Sequence, residues 1–396
     1  MTDATLDVKP VSPWRLPAEN LRAYGSSSRI IGVDLARGLA VLGMFGAHVG
    51  ATQAFDWVQP VTWLDLVHGR SSILFAVLAG VSIAIISGGV RVLSGEDALR
   101  ARVRIFTRAA LIFALGGLLE FLGTGVAVIL PAYALLFVLS LPFLRWRPRQ
   151  LFILAGILAV VAPVLQAIIA PFAEYGADSA FVDLFITGIY PGMIWIVFVL
   201  VGLGIGRLDL TSMPNRLIML IVGAMLMIVG YVPGFALQSA FNPTAVDTTE
   251  LGGNSAPVVE FQLLASIEPH SGTPFEVIGS TGFALVVLAL CLVVSGALRW
   301  VLYPVAAVGS MALSAYSFHI VAIAAIGPNA IESTTNALWL VFVLAALLLC
   351  SMWAIFFGRG PLERILTAVS RSAARITPAP AGRLDAEPIS KEHTEK

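Results

Sequence analysis

The sequence predicts an all-α, polytopic membrane protein of about ten transmembrane helices, with both termini on the cytoplasmic side. Three observations carry this. Of 396 residues, 58% are hydrophobic and only 12% are charged, about half the charged share of an ordinary soluble domain. The apolar residues fall in runs close to the ~20 residues a helix needs to cross a bilayer. The arginines sort by connection, crowding every second one.

Ten stretches have the required length: 30–50, 71–90, 105–122, 125–144, 151–170, 187–206, 217–235, 276–298, 302–324 and 337–357. They exceed the ~10-residue alternating segments of a membrane β-barrel. The first follows Lys9, Arg15, Arg22 and Arg29 with no cleavage signal, so it reads as an uncleaved anchor. The second ends before Arg91, and Arg100, Arg102, Arg104 and Arg108 lead into the third. The fourth ends at Arg145, Arg147 and Arg149; Arg207 and Arg216 separate the sixth from the seventh. Arg299 follows the eighth, and Arg359, Arg364, Arg371 and Arg375 follow the tenth. With ten spans all of these lie on one side, and the outer connections hold a single basic residue, Arg70. The chain divides into a cytoplasmic segment 1–29, a membrane domain 30–358 with an outer connection 236–275, and a tail 359–396. The end of that tail, rich in Pro, Ala and charge, reads as disordered. The expected setting is a bacterial plasma membrane.

Lys+Arg and Asp+Glu are both 24, which excludes a polyelectrolyte surface for nucleic acid. Cys291 and Cys350 lie in apolar runs and form no disulfide framework. No metal-ligand spacing and no phosphate-binding glycine loop is present, so no metal is expected.

Ionisable groups inside a membrane are costly and are functional candidates by default. In the first span Asp34 and Arg37 are i,i+3 neighbours and can pair, which serves equally as a positive-inside anchor with its counter-ion. Arg37 and His48 are eleven residues apart, nearly on one helix face and about 16 Å apart along the axis. Asp65, His68, Arg70, Ser71 and Ser72 gather at the outer start of the second span. The serines suit helix capping; the lone outer arginine suits an anionic or carbonyl ligand. Glu120 ends the third span, and Tyr316 and His319 lie near the outer end of the ninth. His48 and His319 fall eighteen and seventeen residues into their spans, hence at similar depth. A carboxylate beside a histidine would fix its tautomer for general-base work on a hydroxyl, and Glu120 and Asp65 are the candidates; a structural polar network is the plain alternative. Arg104 and its neighbours suit the phosphates of a cytosolic nucleotide-type donor, or serve only as inner-side charge. In the outer connection Asp247, Glu250, Glu260, Glu268 and His270 read individually as a solvated loop.

The pattern Arg29…Asp34-x-x-Arg37-Gly38…His48, followed by WLDLVHGRSSILFAVLAGVS, resembles the heparan-α-glucosaminide N-acetyltransferase-like family, most closely its actinobacterial branch, which includes the trehalose monomycolate acetyltransferases. The later VGSMALSAYSFHI, with GPLE at 360–363, is similar to YeiB-like integral membrane proteins. The resemblance implies transfer of an acetyl or other short acyl group from cytosolic acyl-CoA to a hydroxyl of an envelope glycolipid or glycan, such as a mycolate lipid. It implies His48 or His68 as general base, Arg37 on the donor path and Asp34 holding it. No Ser-His-Asp order is evident, so direct transfer is favoured over an acyl-enzyme. Human-type members carry a lumenal-loop histidine that 51–67 lacks, which leaves His48 and His68 both open as the base. Arg outnumbers Lys 21 to 3, as in a high-GC bacterium. The other reading is a transporter or flippase of a lipid or small anion, and a homo-oligomer fits either.

Overall fold

The computed structural model describes residues 16–24, 29–51, 53, 55–176, 179–241, 264–331 and 335–376. The tail beyond 376, and Asp247, Glu250 and Glu260, lie outside the described residues. Among the described residues every regular element is helical. In chain order they are α1 (Leu16–Tyr24), α2 (Ile31–Val49), a 3-10 helix (Pro60–Val67), α3 (Arg70–Ile86), α4 (Gly95–Glu120), α5 (Leu130–Ser140) and α6 (Pro148–Gly176). Then follow the single turn α7 (Ala180–Val182), α8 (Gly192–Ile205), α9 (Met213–Phe241), α10 (Pro274–Ala297), α11 (Tyr303–Ser310), α12 (Ala312–Ile326), α13 (Ala337–Phe356) and α14 (Pro361–Ile376).

Each of the ten apolar stretches is helical, but they are not ten equal rods. Six helices are long and apolar enough to cross a membrane, or eight when two bent pairs each count as one span. The segment 180–187 meets α8 at 56°, and α11 meets α12 at 84°. The second bend has its cause in packing against α2. Gly309 presses on the Asp34 carbonyl of α2, and Gly38 on that of Val305, so closely that a Cβ at either would overlap the facing main chain. Small residues let helices approach in this way within a membrane. The buried N-terminus of α12 is capped by Glu363, whose carboxylate accepts from the Ser314 amide at 3.1 Å and its hydroxyl at 2.6 Å.

Burial sorts the helices. Over an 18-residue apolar window of α2, and of the stretch ending in α3, 72% of the residues are buried, against 22% in the windows of α6 and α9 and 6% in that of α13. The centre of the bundle is thus α2 and α3 with α8, α10 and α11, while α6, α9 and α13 turn wide apolar faces outward. Such faces suit lipid. Arg207 is 4% exposed and clasps this centre. It donates to the carbonyls of Ala84, Ser87, Gly89 and Leu144 and to the Ser87 hydroxyl, closing the C-terminus of α3. A cation satisfies the last carbonyls and the negative end of the helix dipole.

Candidate active site

The site has two layers joined by α2, termed inner at the N-terminal end of that helix and outer at its C-terminal end. At the inner layer Asp34 is held between Arg29 at 2.8 Å and Arg37 at 3.0 Å. Arg37 also donates to Gly309 O at 3.2 Å and Ser82 Oγ at 3.1 Å, which fixes it where α2, α3 and α11 meet. These groups border a cavity of about 1000 Å³ whose described lining holds seven arginines and one carboxylate, Glu363. Arg104 and Arg108 belong to it, and the Nε of each is buried without a partner. Unpaired buried donors are costly unless a ligand meets them. The arrangement is an anion site large enough for a nucleotide-sized group.

At the outer layer His48 and His319 meet. Nδ1 of His48 lies 2.8 Å from Nε2 of His319, with the rings stacked at 11° and centroids 5.1 Å apart. The tautomers follow from the neighbours. His319 Nδ1 faces the Tyr316 carbonyl one turn back, and a carbonyl only accepts, so Nδ1 carries the proton. His319 Nε2 is then an acceptor, and His48 Nδ1–H donates to it. The proton on His48 is thereby placed on Nδ1, leaving Nε2 with its lone pair. Tyr316 is 2% exposed and His319 4%, whereas His48 is half-buried. The Tyr316 hydroxyl accepts from the Ile129 amide at 3.3 Å and thereby ties α12 to the start of α5.

The other expected site residues separate. Glu120 is exposed at the end of α4, and Asp65 contributes its carbonyl, to the His68 amide at 3.1 Å and weakly to Arg70. The carboxylate expected beside a histidine is therefore replaced by a second imidazole. Ser71 and Ser72 donate back to Val67 O and Gly69 O at 2.8 and 2.6 Å. The N-cap of α3 is Gly69 instead, with φ +68. Arg70 donates to the Tyr231 hydroxyl at 2.9 Å and to Leu66 O at 3.2 Å, and lies over the Tyr231 ring.

His68 faces His270, ring centroids 6.2 Å apart, and His270 also packs on Tyr190 and Trp195. His270 was placed in a solvated loop by its sequence context, yet it is anchored. Thr273 caps the start of α10: the Glu276 amide donates to Thr273 Oγ1 at 3.0 Å. The buried Glu276 carboxylate accepts the amides of His270 and Gly272 at 3.0 and 2.8 Å. This holds His270 at φ +63. Burial, and then the neighbouring His68, pull its imidazole down to about 4, so it is neutral near pH 7. The T-x-x-E spacing before an apolar run was the readable signal for this anchor.

An unbroken central helix with an imidazole pair at one end and a cationic cavity at the other defines a polytopic membrane protein with chemistry on two levels. Residues 29–233 match the family described as heparan-alpha-glucosaminide N-acetyltransferase, catalytic. The match covers just over half of the chain, and the chain belongs to this family, a membrane acyltransferase-type assignment. Residues 257–372 match a family described as a protein of unknown function, DUF418. The imidazole pair joins the two regions, His48 from the first and His319 from the second. No curated protein matches the chain.

Proposed function

We propose that the protein is a bacterial membrane O-acyltransferase. It moves an acetyl or other short acyl group from cytosolic acyl-CoA to a hydroxyl of an extracytoplasmic envelope glycolipid or glycan, a mycolate lipid being one such acceptor. The carrying observation is the tautomer order in the imidazole pair, which frees Nε2 of His48 on the same helix that presents Arg37 to the inner cavity. We further infer ten crossings with both termini inside. The bent pairs each make one, and α4 and α5 complete the set, the first too charged and the second too short to qualify by composition alone.

In this reading the donor's phosphates sit among Arg104, Arg108 and Arg371, and Asp34 holds Arg37 on the donor path. His48 Nε2 takes the acceptor hydroxyl's proton as that oxygen bonds to the acyl carbon. The C–S bond of the thioester breaks, and the sulfur leaves as thiolate, to which the proton returns. His319 holds His48 in the productive tautomer through a ring that Tyr316 fixes from behind. Arg70, with His68 beside it, serves the developing oxyanion or the acceptor from the outer side. Acyl labelling of envelope lipids in cells carrying His48→Ala and His68→Ala tests this. Loss with His48→Ala is expected, and wild-type labelling in both variants would remove the catalytic assignment.

The two bent pairs favour a second reading, since broken helices line the sites of many transporters. A lipid that accumulates on the inner side of a deletion strain without any change in acylation would support it.

A further inference from the structure

The inner cavity does not end at Arg37. An apolar chamber of about 320 Å³ shares Arg37, Arg108 and Glu363 with it and extends between α3, α5 and α12. One wall is a helical stripe on α3: Phe75, Ala79, Ser82 and Ile86 stand at i, i+4, i+7 and i+11. Phe75 is half-buried although Leu74 and Ala76 beside it are 3% and 0% exposed. Its free surface is the surface it turns to the chamber. Leu130, Tyr133 and Phe137 of α5 form the facing wall.

The Phe75 and Tyr133 rings stack across this space, centroids 5.3 Å apart and planes at 27°. Tyr133 is fixed from outside, because its hydroxyl donates to Ser72 O at 2.9 Å in the first turn of α3. Next to Leu130, the Ile129 amide reaches the Tyr316 hydroxyl, and Tyr316 packs edge-on against both imidazoles. The chamber therefore begins among arginines and ends at an aromatic pair whose far side adjoins the histidine layer.

We propose that the Phe75–Tyr133 pair selects the acyl group. The apolar arm of the donor lies along the α3 stripe, and the paired rings, the boundary its acyl end passes to reach the histidine layer, set how many carbons that passage admits. This rests on the acyl-CoA reading above. A tight apolar pocket discriminates about 10- to 200-fold per methylene, so the effect is measurable.

The test is binding of acetyl-, butanoyl- and hexanoyl-CoA to the full chain in nanodiscs, by calorimetry. Wild type is expected to bind acetyl-CoA at least about tenfold more tightly than hexanoyl-CoA. Phe75→Ala should abolish or invert that ratio. Phe75→Leu, which keeps most of the packing, should move it less in the same direction and guards against a poorly folded alanine variant. Tyr133→Phe, which retains the ring, should leave the ratio in place. An unchanged ratio in both Phe75 variants overturns the selector and leaves the donor reading standing. No binding of any acyl-CoA to wild type overturns the donor reading and the selector with it.

Discussion

In the proposed mechanism His319 touches the base and not the substrate, and replacing it separates the two roles. In the wild type it accepts the Nδ1–H of His48 at 2.8 Å while the Tyr316 carbonyl holds its own proton. His319→Ala leaves that N–H without an acceptor in a buried layer, at a cost of about 1–3 kcal/mol. At 1.36 kcal/mol per decade this corresponds to roughly 5- to 150-fold in rate if it falls on the base's productive orientation. Losing the base itself forfeits about 10²–10⁴. His48→Ala should thus fall furthest, His319→Ala by an intermediate factor, and the double variant no further than His48→Ala alone, because the second imidazole acts only through the first. The side-chain oxygen of glutamine can accept the same N–H, so His319→Gln should recover most of the rate with the wild-type pH profile. The assay is the initial rate of radiolabelled acetate incorporation into extracted envelope lipids of a complemented deletion strain. Wild-type labelling by His319→Ala, or a double variant lower by the product of the single effects, would refute the positioning role.

Three further outcomes follow from other contacts. Arg207→Ala strips the acceptors at the end of α3 of a charged donor, and the cost is at least about 3 kcal/mol; the thermal midpoint in detergent should drop by several degrees, and that of Arg207→Lys by less. Glu276→Ala frees the amides of His270 and Gly272 while the backbone cap on Thr273 remains, so proteolytic nicking within 264–273 should rise while the helices stay intact. Because the folded-state value of His270 is about 4, below the ordinary 6.5, the unfolded loop gains its proton first as pH falls. The stability this ring contributes is fully present above pH 6.5 and is lost as pH falls through about 4; quenching of Trp195 fluorescence by the protonated ring, read as the difference from His270→Phe, should have its midpoint there and not near 6.5.

Much of the fold was legible because its causes are local. Apolar run length decides helix, and arginine placement marks the cationic layer, so the long helices and the arginine cluster follow from one-dimensional pattern. The Asp34–Arg37 pair also formed, since i,i+3 spacing needs only the helix itself. What required lateral packing was not legible. The depths of His48 and His319 were readable as span positions, but nothing in either span says that α12 abuts α2. The carboxylate partner was therefore sought on α4 and in the first outer connection, where Glu120 and Asp65 stand. The stretch 302–324 reads as one straight span, and it bends because Gly309 is pressed against α2, a contact between segments some 270 residues apart. Arg207 carries no sequence mark that distinguishes it from the other inner arginines, yet it alone is sunk into the end of α3. By composition residues 361–376 read as tail, but they form α14, which carries Arg371 and Glu363 into the cavity wall.

The continuity of α2 has a consequence for how work is divided between protein and substrate. Arg37 and His48 ride on one helix eleven positions apart, about 16 Å at 1.5 Å per residue. A helix so packed neither shortens nor folds, so the two levels are held at a constant separation. Whatever passes between them must be long and thin enough to reach, with its charged end still held below. On the proposed acyl-CoA reading the bilayer is bridged by the length of the donor's own arm, and the protein acts as a measured sleeve around it.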